Sequence, residues 1–177
     1  MIGLFKKLIA LFSIFSIALL LCCAKTSEKK NPKSEESRTV GPNFDFVLPD
    51  LNGKISSLKD FKGKVFTINF WATWCPACEE EIPKLNELQE RYKNEGLVVI
   101  GIALDKDSLN IVAPFIQKKG IGYPVLIGNE QMLQSLESFS GMPTTLIVDQ
   151  KGNIKKKYDG SFDKDDLEKN LKELLLR

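Results

Sequence analysis

Val65-Phe66-Thr67-Ile68-Asn69-Phe70-Trp71, followed by Ala72-Thr73-Trp74-Cys75-Pro76-Ala77-Cys78, is the stretch on which the reading of this chain turns. Its first seven residues are largely apolar and rich in β-branched and aromatic types, which suits a strand in the middle of a sheet. A helical period takes over from Cys75. Ile82, Leu85, Leu88 and Tyr92 fall on one stripe, and Glu79, Glu80, Lys84, Glu87 and Arg91 on the other. The spacing predicts a helix over 75–94, closed by Gly96 and kinked near its second turn by Pro83. The cysteine pair therefore stands where a buried strand hands over to a helix.

Upstream, Phe44, Phe46 and Leu48 alternate with polar residues, Asp50-Leu51-Asn52-Gly53 turns, and Ile55 and Leu58 follow, which predicts a hairpin or edge-strand pair. Phe61-Lys62-Gly63-Lys64 reads as a loop. Downstream, 97–103 is a second buried strand, and Ser108 caps a helix running to Lys119 that carries Pro114. A short strand over 124–127, a helix over 130–139 and a strand over 144–148 come next. Asp149 to Asn153 turns into an antiparallel partner over 154–158. The last helix, 163–176, faces inward with Leu167, Leu171, Leu174 and Leu175. Buried strands alternating with helices predict a three-layer α/β domain with a central sheet flanked by helices.

That domain is expected to span residues 40–177. Before it, Lys6 and Lys7 precede an apolar run from Leu8 to Leu21, the pattern of an export signal over residues 1–23. Leu20-Leu21-Cys22-Cys23 resembles a bacterial lipobox, in which Cys23 becomes the lipidated mature N-terminus. The alternative is an uncleaved anchor, since Leu8 to Ala24 reaches the roughly 17 residues that just span a bilayer. Residues 24–39 are mostly Lys, Ser, Glu, Asn and Pro with no large apolar residue, and read as a flexible tether. The two leader lysines account for the whole excess of 25 basic over 23 acidic residues. The mature part is near neutral, which gives no case for nucleic-acid binding.

A Cys-x-x-Cys pair serves either as half a metal site or as a redox dithiol. The chain has no histidine, and its other two cysteines, Cys22 and Cys23, lie in the leader, so a tetrahedral zinc set is not available. The same lack of histidine removes Cys–His and Ser–His–Asp catalysis. A bond between cysteines three apart closes a ring too small to constrain an unfolded chain usefully, which favours a reactive bond over a structural one. At the helix start, unpaired N–H groups and the helix dipole favour the Cys75 thiolate. Pro76 suits the first helical position. Cys78, almost a turn deeper, is expected to be more buried and to resolve a mixed disulfide formed at Cys75. Trp74 is expected to pack beside the sulfur.

Phe70-Trp71-Ala72-Thr73-Trp74-Cys75-Pro76-Ala77-Cys78, with Pro83 on the same helix and Gly141-Met142-Pro143-Thr144-Thr145 later in the chain, resembles the thioredoxin-like superfamily. The leader, the N-terminal hairpin and a central insertion around Ser108 to Ile127 resemble its TlpA/ResA-like membrane-attached members. The resemblance implies a thioredoxin-like fold with a mixed sheet. It implies a cis Pro143 facing the dithiol, leaving the Met142 backbone to pair with a substrate strand. Many thioredoxins carry a buried aspartate six residues before the first cysteine, where this chain has Asn69. ResA-like proteins place a glutamate three residues after the second cysteine, where Glu81 stands. Glu81 is therefore the expected proton relay or pKa-tuning group, with helix-start acidity as its plainer alternative.

The resemblance further implies a thiol-disulfide oxidoreductase that needs no cofactor and no metal. Its client would be a disulfide-bearing protein such as apocytochrome c, and its electron donor a membrane thiol carrier of the CcdA or DsbD type. A disulfide-forming oxidase or isomerase uses the same dithiol and stays open. A thiol peroxidase is disfavoured because Ala72 occupies the threonine place of Thr-x-x-Cys, and a non-catalytic scaffold because the dithiol is intact.

Overall fold

A computed structural model of the chain describes residues 45–106, 108–136 and 139–176. The expected leader and tether, with Cys23, Val40 and Phe44, lie outside the described residues. Strand β1 (Val47–Pro49) and strand β2 (Ile55–Ser57) form the N-terminal antiparallel hairpin. Asp50 makes its turn, with the carboxylate accepting the N–H groups of Asn52 and Lys54 at 2.8 and 2.9 Å. A short 3₁₀ turn, Leu58–Phe61, leads to strand β3 (Val65–Trp71). Helix α1 (Pro76–Tyr92), strand β4 (Leu97–Ala103), helix α2 (Ser108–Lys119), strand β5 (Val125–Ile127), helix α3 (Glu130–Ser135), strand β6 (Thr144–Val148), strand β7 (Ile154–Asp159) and helix α4 (Lys164–Leu175) follow.

The main sheet runs β5-β4-β3-β6-β7. β3, β4 and β5 are parallel, whereas β6 lies antiparallel to β3 and β7 antiparallel to β6. This is the mixed central sheet that the sequence implied, and β3 takes the middle place its composition predicted. An isolated antiparallel bridge between Asp50 and Leu126 of β5 joins the hairpin to the sheet.

Alternation along β3 builds two cores. Phe66, Ile68 and Phe70 point into one, with Ile100, Ile102, Leu126, Leu146 and the α3 residue Met132. Val65 and Trp71 point into the other, against Leu85 and Leu88 of α1 and Leu167 and Leu171 of α4. Thr67 and Asn69 share that second face and are also buried. A strand buried on both sides thus brings two polar side chains under α1, where they must find partners or remain unsatisfied.

Two helix ends differ from expectation. α1 ends at Tyr92, and residues Lys93–Glu95 tighten into a 3₁₀ turn before Gly96, which adopts φ +94°. The helix is continuous through Pro83, whose side of the helix faces solvent. α3 stops at Ser135 rather than reaching Phe139. The Ser135 hydroxyl donates to the Met132 carbonyl at 2.7 Å, and Leu136 leaves the helix with extended backbone. Phe139 instead sets its ring edge-on to Phe70, 5.6 Å between centroids.

Candidate active site

Cys75 is the N-cap of α1, with φ −101° and ψ 102°, and Pro76 takes the first helical position. The Cys75 sulfur accepts the Cys78 N–H at 3.2 Å, so the helix-start donor predicted for it is in place. The two sulfurs are joined as a disulfide. The bonded Cys75 sulfur occupies the place of the thiolate in the reduced protein. Cys75 is 7% exposed and Cys78 2%, the order expected of an attacking and a resolving sulfur. Trp74, expected beside the sulfur, keeps 69% of its surface in solvent. The indole next to the dithiol is a surface group, and the cover over the sulfurs comes from the core cluster that contains them, to which Met142 also packs.

The Met142–Pro143 bond is cis. Pro143 is buried and Met142 half-buried. The loop holding them is tied at both ends, by the Thr144 hydroxyl donating to the Gly141 carbonyl at 2.6 Å and by the Gly160 N–H donating to the Pro143 carbonyl at 2.9 Å.

Glu81 is fully buried, whereas its neighbours Glu79 and Glu80 lie exposed on the helix surface. The three acids therefore do not share one role as helix-start charges. One Glu81 carboxylate oxygen accepts the Asn69 side-chain amide at 2.9 Å, and the other accepts the Phe162 N–H at 3.1 Å. The same Asn69 amide donates to the Thr145 hydroxyl at 2.9 Å. Burial pushes the Glu81 carboxyl from 4.5 up to about 7, against the two hydrogen bonds and the nearby Lys84 charge, which pull it down. A carboxyl group poised near neutrality under the dithiol helix can hold or release a proton at working pH. Asn69 cannot be that acid, but it orients it.

Sequence reasoning singled out neither Thr145, the Phe162 N–H nor Tyr123. Thr145 left one trace, the second of two threonines that open an otherwise apolar strand. Tyr123 is buried, and its hydroxyl and the Trp71 indole N–H have no hydrogen-bond partner among the described residues. Burial raises the Tyr123 phenol well above its ordinary value, with the Glu81 charge adding to the shift. The Trp71 ring stacks on Phe115 of α2, 5.4 Å between centroids, which packs the central insertion against the end of β3. Among the described residues, no three histidine, cysteine or carboxylate side chains are grouped so as to hold a metal ion, and no helix is long and apolar enough to cross a membrane.

The redoxin family pattern matches residues 35–175. The thiol-disulfide oxidoreductase ResA of Bacillus thuringiensis subsp. konkukian is 37% identical over 175 residues, covering 96% of this chain and 98% of that protein. ResA of Bacillus subtilis is 29% identical over 160 residues and 89% of both chains. Among solved structures, a thiol:disulfide interchange protein of the thioredoxin family from Chlorobium tepidum superposes with a TM-score of 0.69 at 30% identity, covering 79% of this chain and 99% of that one. The buried Cys75–Cys78 disulfide at a helix start, the cis Pro143 and these relatives agree, and the chain belongs to the redoxin family as a ResA-like thiol-disulfide oxidoreductase of the thioredoxin superfamily.

Proposed function

We propose that the protein reduces disulfides of client proteins on the outer side of the cytoplasmic membrane, with Cys75 as nucleophile and Cys78 as resolving thiol. The observation that carries this reading is the buried Cys75–Cys78 pair at the start of α1, with the Glu81 carboxyl buried three residues after Cys78 on the same helix. Cys75 thiolate attacks one sulfur of the client disulfide; the client's second sulfur leaves as thiolate and takes a proton. Glu81 accepts the Cys78 proton, and the Cys78 thiolate attacks the Cys75 sulfur. The client's first sulfur then leaves and is protonated, so two electrons pass to the client and the Cys75–Cys78 bond re-forms. Met142 offers its backbone to the extended client segment, Pro143 keeps that loop shaped, and Pro76 and Trp74 frame the sulfur.

Apocytochrome c fits as client, because its haem-attachment Cys-x-x-Cys-His motif presents a short-range disulfide. A membrane thiol carrier of the CcdA or DsbD type returns the electrons. Lipidation at Cys23, or an uncleaved N-terminal anchor, holds the domain on that side, and both follow from the leader sequence.

Cells carrying Cys78→Ala test the reading, since the exchange stalls at the mixed disulfide on Cys75. The expected result is a reductant-sensitive adduct with an exported protein that the Cys75→Ala, Cys78→Ala variant lacks. No adduct, or a measured dithiol potential near the ~−120 mV of DsbA instead of the ~−270 mV of thioredoxin, would overturn reduction as the direction.

A further inference from the structure

The parallel ladder between β3 and β4 extends beyond the two strands. Its last residue pair is Trp71 with Ala103, and the Leu104 N–H still donates to the Trp71 carbonyl at 2.9 Å. Two residues further on, in the same register, Thr73 faces Asp105. There a side chain takes over from the backbone. The Asp105 carboxylate accepts the Thr73 N–H at 3.1 and 3.3 Å and the Thr73 hydroxyl at 2.6 Å. Asp105 is only 7% exposed, so these charge-assisted bonds are shielded from water.

The bonds fall at the middle of a turn. The Cys75 N–H donates to the Ala72 carbonyl at 3.1 Å, and Cys75 then caps α1. Between Thr73 and Cys75 stands Trp74, 69% exposed. A large exposed indole on a loose turn would settle onto whatever apolar surface lay within reach, because that removes its area from water. Here the backbone on its N-terminal side is pinned by Asp105, and on its C-terminal side by the helix start.

We propose that Asp105 is a positioning residue which, through Thr73, holds Trp74 in the orientation that engages a polypeptide disulfide, and so favours protein disulfides over small ones. The inference rests on the exchange chemistry assigned to Cys75 and Cys78. A small disulfide needs only access to the Cys75 sulfur. A polypeptide must also be aligned along the surface around it, where an exposed aromatic is the natural contact. Loss of the clamp therefore acts on alignment and leaves the sulfur chemistry in place.

The test compares second-order oxidation rates of the reduced full-length protein by two probes, oxidised glutathione and a synthetic peptide bearing an internal Cys-x-x-Cys disulfide. Asp105→Ala and Thr73→Val are expected to slow the peptide reaction about tenfold and the glutathione reaction less than about twofold, as misalignment without chemical change requires. Asp105→Asn, which keeps an acceptor for Thr73, should recover most of the peptide rate. In a Trp74→Ala background, adding Asp105→Ala should change the peptide rate no further. Thr73→Val removes a single hydroxyl and serves as the readout should Asp105→Ala fail to fold. Equal slowing with both probes, an unchanged peptide rate, or effects of Trp74→Ala and Asp105→Ala that simply multiply would each overturn the inference. Wild-type protein inert toward both probes would overturn the exchange reading, and this inference with it.

Discussion

Glu81→Gln in the oxidised protein isolates the buried carboxyl. With Cys75 and Cys78 joined, neither thiol titrates, and the sequence has no histidine. In the unfolded chain the carboxyl ionises near 4.5, whereas burial holds its proton in the folded protein up to about 7. Between those values the folded state binds more protons than the unfolded one, so stability falls as pH rises through the window. At 1.36 kcal/mol per pH unit the interval sets a ceiling of about 3 kcal/mol. Relaxation around the ionised group brings the expected loss nearer ~1–2 kcal/mol. Glutamine removes that loss and keeps the hydrogen bonds: its oxygen accepts the Phe162 N–H, and its amide donates to Asn69 once the Asn69 amide turns over. The Thr145 hydroxyl then donates to Asn69 in its turn. Urea unfolding from about pH 4 to about pH 8 should show the two proteins alike at the acid end and the variant more stable by ~1–2 kcal/mol at the alkaline end. Asp149, Asp159, Asp166 and Glu168 are all held below their ordinary values, so they weaken both proteins together in acid and cancel in the difference. Stability curves that stay parallel across the window would refute the assignment of a neutral-range carboxyl to Glu81.

Three further outcomes follow from packing. Gly101→Ala sets its new methyl 2.8 Å from the Trp71 indole nitrogen and 3.1 Å from the Tyr123 ring, so thermal unfolding should show a loss of ~1–3 kcal/mol. Tyr92→Phe removes the phenol that donates to the nearly buried Glu168, where Arg91 and Lys172 also converge. The loss in urea unfolding should be ~1–3 kcal/mol, and the acid limb should move to higher pH because Glu168 is then held less firmly near 2. Asp163→Ala deletes the side-chain cap that accepts the Asp166 N–H at 2.9 Å at the start of α4, and helix content and unfolding midpoint should fall together, by ~0.5–2 kcal/mol.

The elements legible in the sequence are those whose burial is one-sided or complete. β3 and β4 read as largely apolar runs because both their faces are covered, and their bounds came out as expected. α1 and α4 read from their stripes for the same reason. The end of α3 was not legible, because a serine back-bond and a ring contact with Phe70 decide it, and neither follows a period. The exposure of Trp74 was not legible either: the turn between Ala72 and Cys75 holds the indole out, and nothing in the local sequence says so. Asp105 left no local signal. Its role depends on register between two strands that lie about thirty residues apart in the chain, and register is set by pairing in three dimensions.

Asn69 and Glu81 show how a buried acid is kept in this chain although β3 carries no aspartate. An acid on β3 would sit within the sheet, fixed by the strand alone. Moved onto α1, the acid keeps the same buried neighbourhood, since Asn69 on β3 donates to it, and gains a second donor from the Phe162 N–H ahead of α4. The carboxyl thus ties the dithiol helix to the central strand and to the C-terminal segment at once. Ionisation strengthens both bonds, because each donor then faces a charge, while burial opposes ionisation. The group is balanced between these two effects, and that balance is what sets it near 7. In the proposed exchange, a proton passing from Cys78 to Glu81 removes the charge that both donors face, and so weakens the ties of α1 to Asn69 and to the Phe162 N–H through one side chain.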